Sequence, residues 1–230
     1  MVFTIRKENA MKEYKLVIFD MDGTILYTLD DIVNGINHAL KKNGLPEKDK
    51  EEVRKYIGNG IHYEIENSVP AGTSAEKIDQ VFADFNTYYA VHCGDHTNPY
   101  DGVIALMKKL HEKNILTAVV SNKGDYAVQN LDKQYFDGLL DAGVGEKNGI
   151  RRKPAPDTVN AVLEQLHMKK EDAVYIGDSE VDIDTAKNAG MDSIIVEWGY
   201  RDHDFLIAKG AARLVTSVAE LERELLGADA

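Results

Sequence analysis

Apolar residues follow two rhythms along this chain. Short, nearly continuous apolar runs recur, and each stops at polar residues. Lys15-Leu16-Val17-Ile18-Phe19 ends at Asp20, a run over 115–120 ends at Ser121-Asn122, and one over 173–177 ends at Asp178. Runs this short and this rich in β-branched residues read as strands buried on both faces. Weaker strand candidates lie at 139–144, 193–196 and 213–216. Helical spacing fills the intervals, over 103–113, 125–134, 157–167, 182–189 and 218–226, and Ser217 and Glu220 stand at capping-box spacing before the last. Strands alternating with helices require crossover connections, so the pattern predicts an α/β fold with a mostly parallel sheet. Ligands of such sheets bind beyond the carboxyl ends of the strands, which is where the polar residues sit.

The stretch 28–97 breaks the alternation. Ile32, Ile36 and Leu40 share one helical face, and Ile78, Val81, Phe82, Phe85 and Tyr89 form a longer apolar stripe, so the stretch reads as an all-helical insert. The charged run 47–52 reads as a solvated helix start. The expected organisation is a core made of 1–27 and 98–230, interrupted by a helical cap over 28–97.

Composition narrows the classes. Lys plus Arg number 27 and Asp plus Glu 39, and 27 − 39 = −12, a charge that repels nucleic-acid backbones and anionic membranes. The single cysteine, Cys93, excludes an intramolecular disulfide. No apolar run is long enough to span a bilayer and the first fifteen residues lack a signal-peptide core, so a cytoplasmic protein is expected. Met11 is a candidate start, which would make Met1–Ala10 an extension.

The chemistry concentrates at the strand ends. Asp20-Met21-Asp22-Gly23-Thr24 places two carboxylates where a buried strand enters a turn, a costly arrangement unless a cation or substrate compensates it. Ser121 and Asn122 offer a hydroxyl and an amide suited to a phosphoryl oxygen. Lys153 lies in Arg151-Arg152-Lys153-Pro154-Ala155-Pro156, where the prolines can hold it inward as a point charge. Asp178 and Asp182 belong to Gly177-Asp178-Ser179-Glu180-Val181-Asp182. Each feature also has a plain reading, as a turn, a loop start, a solvated basic patch or a helix N-terminus.

In this order, the four motifs resemble those of the haloacid dehalogenase-like hydrolases. Pro99-Tyr100-Asp101-Gly102, the Arg152–Asp157 segment and Val53-Arg54-Lys55-Tyr56-Ile57-Gly58-Asn59-Gly60 resemble the phosphoglycolate phosphatase branch. The resemblance implies a Rossmann-like core with an inserted helical cap. It implies a phosphatase acting on a small phosphoester, with Asp20 as nucleophile and Asp22 as general acid and base. Ser121 and Lys153 would bind the phosphoryl group, with Asn122 beside them. Mg²⁺ would be held by Asp20, Asp178 and the Asp22 carbonyl, with Asp182 as an outer or alternative contact. Family members often carry Asp or Asn where this chain has Tyr27, at the hinge, which bears on cap closure and substrate fit.

Two rivals share the strand-end acids. A phosphomutase would hand the phosphoryl group to a sugar hydroxyl, and a receiver-like phospho-switch would hold it without turnover. The long insert and the acid two residues after Asp20 argue against the switch. His92-Cys93-Gly94-Asp95-His96 resembles a metal ligand set, but Gly94 interrupts the helix and no distant ligand pair accompanies it, so it reads as the connection from insert to core. Gly143-Val144-Gly145 lacks the third glycine of a dinucleotide loop.

Overall fold

A computed structural model describes residues 12–227; the reading of Met1–Ala10 as an extension lies outside them. Six strands form one parallel sheet: β1 (Leu16–Phe19), β4 (Leu116–Gly124), β5 (Ala142–Glu146), β6 (Ala173–Gly177), β7 (Asp192–Val196) and β8 (Leu214–Val215), in the order β5-β4-β1-β6-β7-β8. β1 therefore lies in the middle, paired with β4 on one side and β6 on the other.

Its four residues are all buried because both faces of the sheet are covered. Val17 and Phe19 join one apolar layer and Leu16 and Ile18 the other, the alternation a strand imposes. The second layer is completed by α7 (Asp157–Gln165) and α8 (Glu180–Ala189), through Val159, Val162 and Ala186. The first takes in α5 (Val103–Glu112), α6 (Asp125–Tyr135) and α10 (Val218–Leu226). A short α9 (His203–Ala208) covers the β7–β8 edge through Leu206.

The insert is helical, as its periodicity predicts: α1 (Leu29–Lys42), α2 (Lys50–Arg54), α3 (Ile61–Ser68) and α4 (Ala75–His92). Ile32, Ile36 and Leu40 meet Val81, Phe85 and Tyr89 in a core continuous with the first layer of the sheet. Asp49 caps α2 by accepting from the Glu51 and Glu52 amides, which agrees with a solvated helix start at 47–52. The two chain crossings between insert and sheet run side by side as an antiparallel pair, β2 (Leu26–Tyr27) and β3 (Asn98–Pro99), with Tyr27 opposite Asn98.

Three element boundaries and one cap differ from the periodic reading in ways that bear on the site or its helices. β4 does not stop at Ser121 but continues to Gly124, with an irregularity in its pairing after Val120. The polar residues stay in the strand because the site gives each of them a partner. β5 starts at Ala142 rather than 139. α8 begins at Glu180, two residues early, because Ser179 and Asp182 form a reciprocal capping box. At α10 Ser217 caps the Glu220 amide, but the Glu220 carboxylate turns to the Thr216 amide and hydroxyl, so only half of that box forms. Among the described residues no helix is long and apolar enough to cross a membrane.

Candidate active site

The carboxyl ends of β1, β4 and β6 converge, and the expected residues converge with them. Asp20 follows β1 directly, and Asp22 enters a tight loop in which the Gly23 amide reaches back to Leu26. Gly23 sits at φ +82°, and a Cβ there would come within 2.5 Å of Asp178 Oδ2, so both the turn and the approach of β6 demand glycine. Asp178 follows β6; its Oδ2 accepts from the Tyr200 amide at 2.7 Å and its Oδ1 from the Thr24 hydroxyl at 3.3 Å.

Lys153 is 2% exposed. Its Nζ lies 2.8 Å from Asp20 Oδ1 and 2.8 Å from Asp182 Oδ1, and donates to the Tyr175 hydroxyl at 3.1 Å. Burial pulls the lysine down, but Asp182, Asp20 and Tyr175 outweigh it, and it keeps its proton well above the usual lysine range. Three buried acids, Asp20, Asp178 and Asp182, then face one lysine, and 1 − 3 leaves a charge of −2. Burial, with the neighbouring carboxylates adding and Lys153 opposing, pushes Asp20 well above the ordinary carboxyl range. Burial and then Asp182 push Asp178 up to about 7.

That surplus of negative charge is what a cation would relieve. Carboxylate oxygens of Asp20, Asp178 and Asp182 lie within 4.8 Å of one another, and Asp20 Oδ1, although fully buried, accepts no well-formed hydrogen bond. The all-oxygen donor set fits a hard divalent cation. Asp182 is differently placed from the other two. Its Oδ2 accepts from the Asp178 and Ser179 amides and the Ser179 hydroxyl, and its Oδ1 from Lys153 and Tyr175. Both of its oxygens are engaged in holding α8 and Lys153.

Ser121 is buried at the floor of the cleft, and its hydroxyl accepts only from the Lys123 amide at 3.2 Å, leaving its proton free to be donated. Asn122 departs from its expected part as a phosphate donor. Its amide donates to Gly58 O at 2.9 Å and Lys153 O at 3.0 Å, while its carbonyl accepts from the Lys153 amide at 2.8 Å. It has the geometry of a tie between β4, the lysine loop and the insert.

The insert closes over these groups, leaving a cleft of about 430 Å³ including its mouth. Lys123, Glu64 and Arg201, which line the cleft or hold the insert over it, are absent from the sequence reading. Lys123, 8% exposed, lies 3.0 Å from Asp22 Oδ1 and donates to the Tyr89 hydroxyl at 2.7 Å, with Nζ 4.6 Å from the ring centre. Its signal was a charge directly after Ser121-Asn122 in a strand otherwise buried. Glu64 comes in from α3; it stands on the same face as Ile61 and Ile65, an acid in an apolar stripe. Arg54 and Arg201 make a reciprocal clasp. Arg54 of the insert donates to Tyr200 O and Asp202, and Arg201 of the core donates to Arg54 O, to Ile57 O at 2.7 Å and to Glu180. Tyr27, at the hinge, packs edge-on against Tyr100 and Tyr200, and the Tyr200 hydroxyl accepts from the Thr28 amide.

His92 pairs with Asp95, Cys93 is buried, and the His96 amide donates to Asp31, so this segment joins α4 to β3.

Comparison with known proteins places this geometry in a family. The family model for haloacid dehalogenase-like hydrolases matches residues 17–196. A phosphoglycolate phosphatase of Aquifex aeolicus is 31% identical over 191 residues, covering 81% of this chain and 86% of its own. A phosphoglycolate phosphatase of Vibrio parahaemolyticus is 28% identical over 223 residues, covering 92% and 96%. The crystal structure of a Lactobacillus delbrueckii subsp. bulgaricus protein, proposed to be a phosphoglycolate phosphatase, superposes with a TM-score of 0.88 at 37% identity, covering 94% of this chain and all of that one.

Proposed function

The chain belongs to the haloacid dehalogenase-like hydrolase family, and from that premise we propose that it is a Mg²⁺-dependent phosphatase of a small phosphorylated metabolite, working through an aspartyl-phosphate on Asp20. The observation that carries the reading is the convergence of Asp20, Lys153 and Ser121 at the carboxyl ends of β1 and β4, beside the buried acid of β6.

Asp20 attacks phosphorus, forming an acyl phosphate as the bond to the leaving oxygen breaks; this splits one difficult displacement into two easier ones. Lys153 and the Ser121 hydroxyl bind equatorial phosphoryl oxygens and neutralise the charge that spreads over them. Asp22 gives its proton to the leaving oxygen, then takes one from the water that attacks the acyl phosphate and releases inorganic phosphate. Lys123, 3.0 Å from Asp22, holds that carboxyl toward the cleft. Asp20, Asp178 and the Asp22 carbonyl would hold Mg²⁺, which when bound supplies further charge neutralisation for the phosphoryl group. Asp182 keeps Lys153 and α8 in place, and Asn122 ties the lysine loop to the insert.

Phosphate release from a panel of small phosphoesters, with Mg²⁺ and with EDTA, tests this reading. Release that requires Mg²⁺ is expected. An isomerised sugar phosphate with little free phosphate would instead indicate a mutase, and a lasting phosphoprotein without turnover a switch.

A further inference from the structure

Each lysine of the cleft is held by a carboxylate and a tyrosine, but the two tyrosines come from different parts of the chain. Lys153 meets Asp20 and Asp182 and donates to Tyr175 of β6, all of them residues of the core. Lys123 meets Asp22 at 3.0 Å and donates at 2.7 Å to the hydroxyl of Tyr89, which belongs to α4 of the insert. Tyr89 is buried, its ring centre lies 4.6 Å from the ammonium, and it stacks on Phe85 at 4.8 Å. Phe85 is pressed against Gly35 of α1, where a Cβ would come within 2.7 Å of its ring. Packing inside the insert therefore fixes the tyrosine, and the ammonium is pinned between that ring and an acid of the core. Burial keeps the Tyr89 hydroxyl protonated, well above the usual tyrosine range, so it accepts from Lys123 without adding a charge.

Resting on the phosphatase reading above, we propose that Tyr89 is a positioning residue supplied by the insert, which orients the Asp22 carboxyl toward the leaving oxygen through Lys123. Asp22 Oδ1 is buried beside Lys123, while the side chain keeps 12% of its surface and lines the cleft. With Oδ1 turned to the ammonium, Oδ2 is the oxygen that carries the proton to the leaving group. Proton transfer requires that oxygen within hydrogen-bond reach of the ester oxygen, and small misplacements are costly. Lysine is a flexible point charge, and on its own it sets the direction of a carboxylate poorly. The Tyr89 hydroxyl and ring remove that freedom by holding Nζ from a second side.

The test separates leaving groups that need a proton from one that does not. An alkoxide leaves only when protonated, whereas p-nitrophenolate departs without help. We would measure kcat/KM, which reports the first phosphoryl transfer, for 2-phosphoglycolate, glycerol 3-phosphate and p-nitrophenyl phosphate in wild type, Tyr89→Phe, Lys123→Met and the double variant. Tyr89→Phe keeps the ring and its stacking and removes only the hydroxyl. Hydrolysis of the better alkyl phosphate should fall about 10-fold in Tyr89→Phe and about 100-fold in Lys123→Met. p-Nitrophenyl phosphate should fall by only about threefold in either. The double variant should be no worse than Lys123→Met, because Tyr89 acts through the lysine. Equal losses on alkyl and aryl substrates, the pattern of a merely structural role, overturn the inference. So does a full further loss from Tyr89→Phe in the Lys123→Met background, or a Tyr89→Phe enzyme indistinguishable from wild type. If Lys123→Met does not fold, the alkyl-to-aryl ratio in Tyr89→Phe decides alone. Wild-type hydrolysis of p-nitrophenyl phosphate only, lost in Asp20→Asn, overturns the inference and leaves the phosphatase reading standing. Absence of all turnover in wild type, p-nitrophenyl phosphate included, overturns that reading and the inference with it.

Discussion

The floor and the roof of the cleft are built in opposite ways. The floor is a set of charges gathered at the carboxyl ends of β1 and β6: Asp20 and Asp178 follow those strands, Lys153 comes from the loop after β5 and Asp182 from the first turn of α8, all buried and joined at 2.7–3.3 Å to one another or to backbone amides and hydroxyls. The roof meets the core through a shared apolar layer, through side-chain pairs such as Lys123–Tyr89 and Arg54–Asp202, and through backbone carbonyls. Asn122 reaches Gly58 O, and Arg201 reaches Ile57 O and Arg54 O. The contrast is between a floor whose buried charges are locked to one another and a roof that packs over it.

Breaking the floor should therefore have the largest effect. Lys153→Met would leave Asp20 and Asp182 as buried acids without their cation. We expect turnover to fall by at least about 100-fold and stability by about 3–5 kcal/mol, measured by phosphate release and chemical denaturation with EDTA present. A variant as stable as wild type would show that the floor is not the charge-locked unit described here.

A smaller effect, on pH dependence, sharpens the contrast from the roof. The folded Glu64 carboxyl holds its proton up to about 8, against 4.5 for an unperturbed glutamate. Its burial is therefore harmless to stability below 4.5, becomes progressively destabilising as pH rises toward 8, and is constant above that. The cost at high pH is at most about 5 kcal/mol. In EDTA, Glu64→Gln should melt with wild type at pH 5 and above it at pH 9; equal melting at both would mean that Glu64 is not desolvated as the structure places it.

The same contrast explains what could be read from sequence. The floor was legible because the apolar runs of β1, β4 and β6 each end at a polar residue of the candidate site, so Asp20, Ser121 and Asp178 are marked by where periodicity stops. Lys153 was marked by the prolines that follow it. The partners of Asn122 and Asp182 were not legible. Hydrogen bonds to Gly58 and Lys153, or to the first turn of α8, use up their oxygens and nitrogens, and no local pattern encodes that. The roof was legible as helices but not as a surface. The Arg54–Tyr200 and Lys123–Tyr89 contacts join residues far apart in the chain, and they depend on how α2 and α4 sit over the sheet. Glu64 left a faint trace as an acid at an apolar helix position, which a search for charges out of phase with amphipathicity would have found.

The claim that everything else rests on is that Asp20 becomes phosphorylated. The direct measurement is rapid acid quenching during turnover of a hydrolysed phosphoester, followed by peptide mass mapping of wild type and Asp20→Asn. The account predicts one phosphoryl group on the Asp20 peptide of wild type, removable by hydroxylamine, and none in Asp20→Asn, which folds normally and turns over almost nothing. Full turnover by Asp20→Asn, or a phosphoryl group carried by another residue, would contradict it.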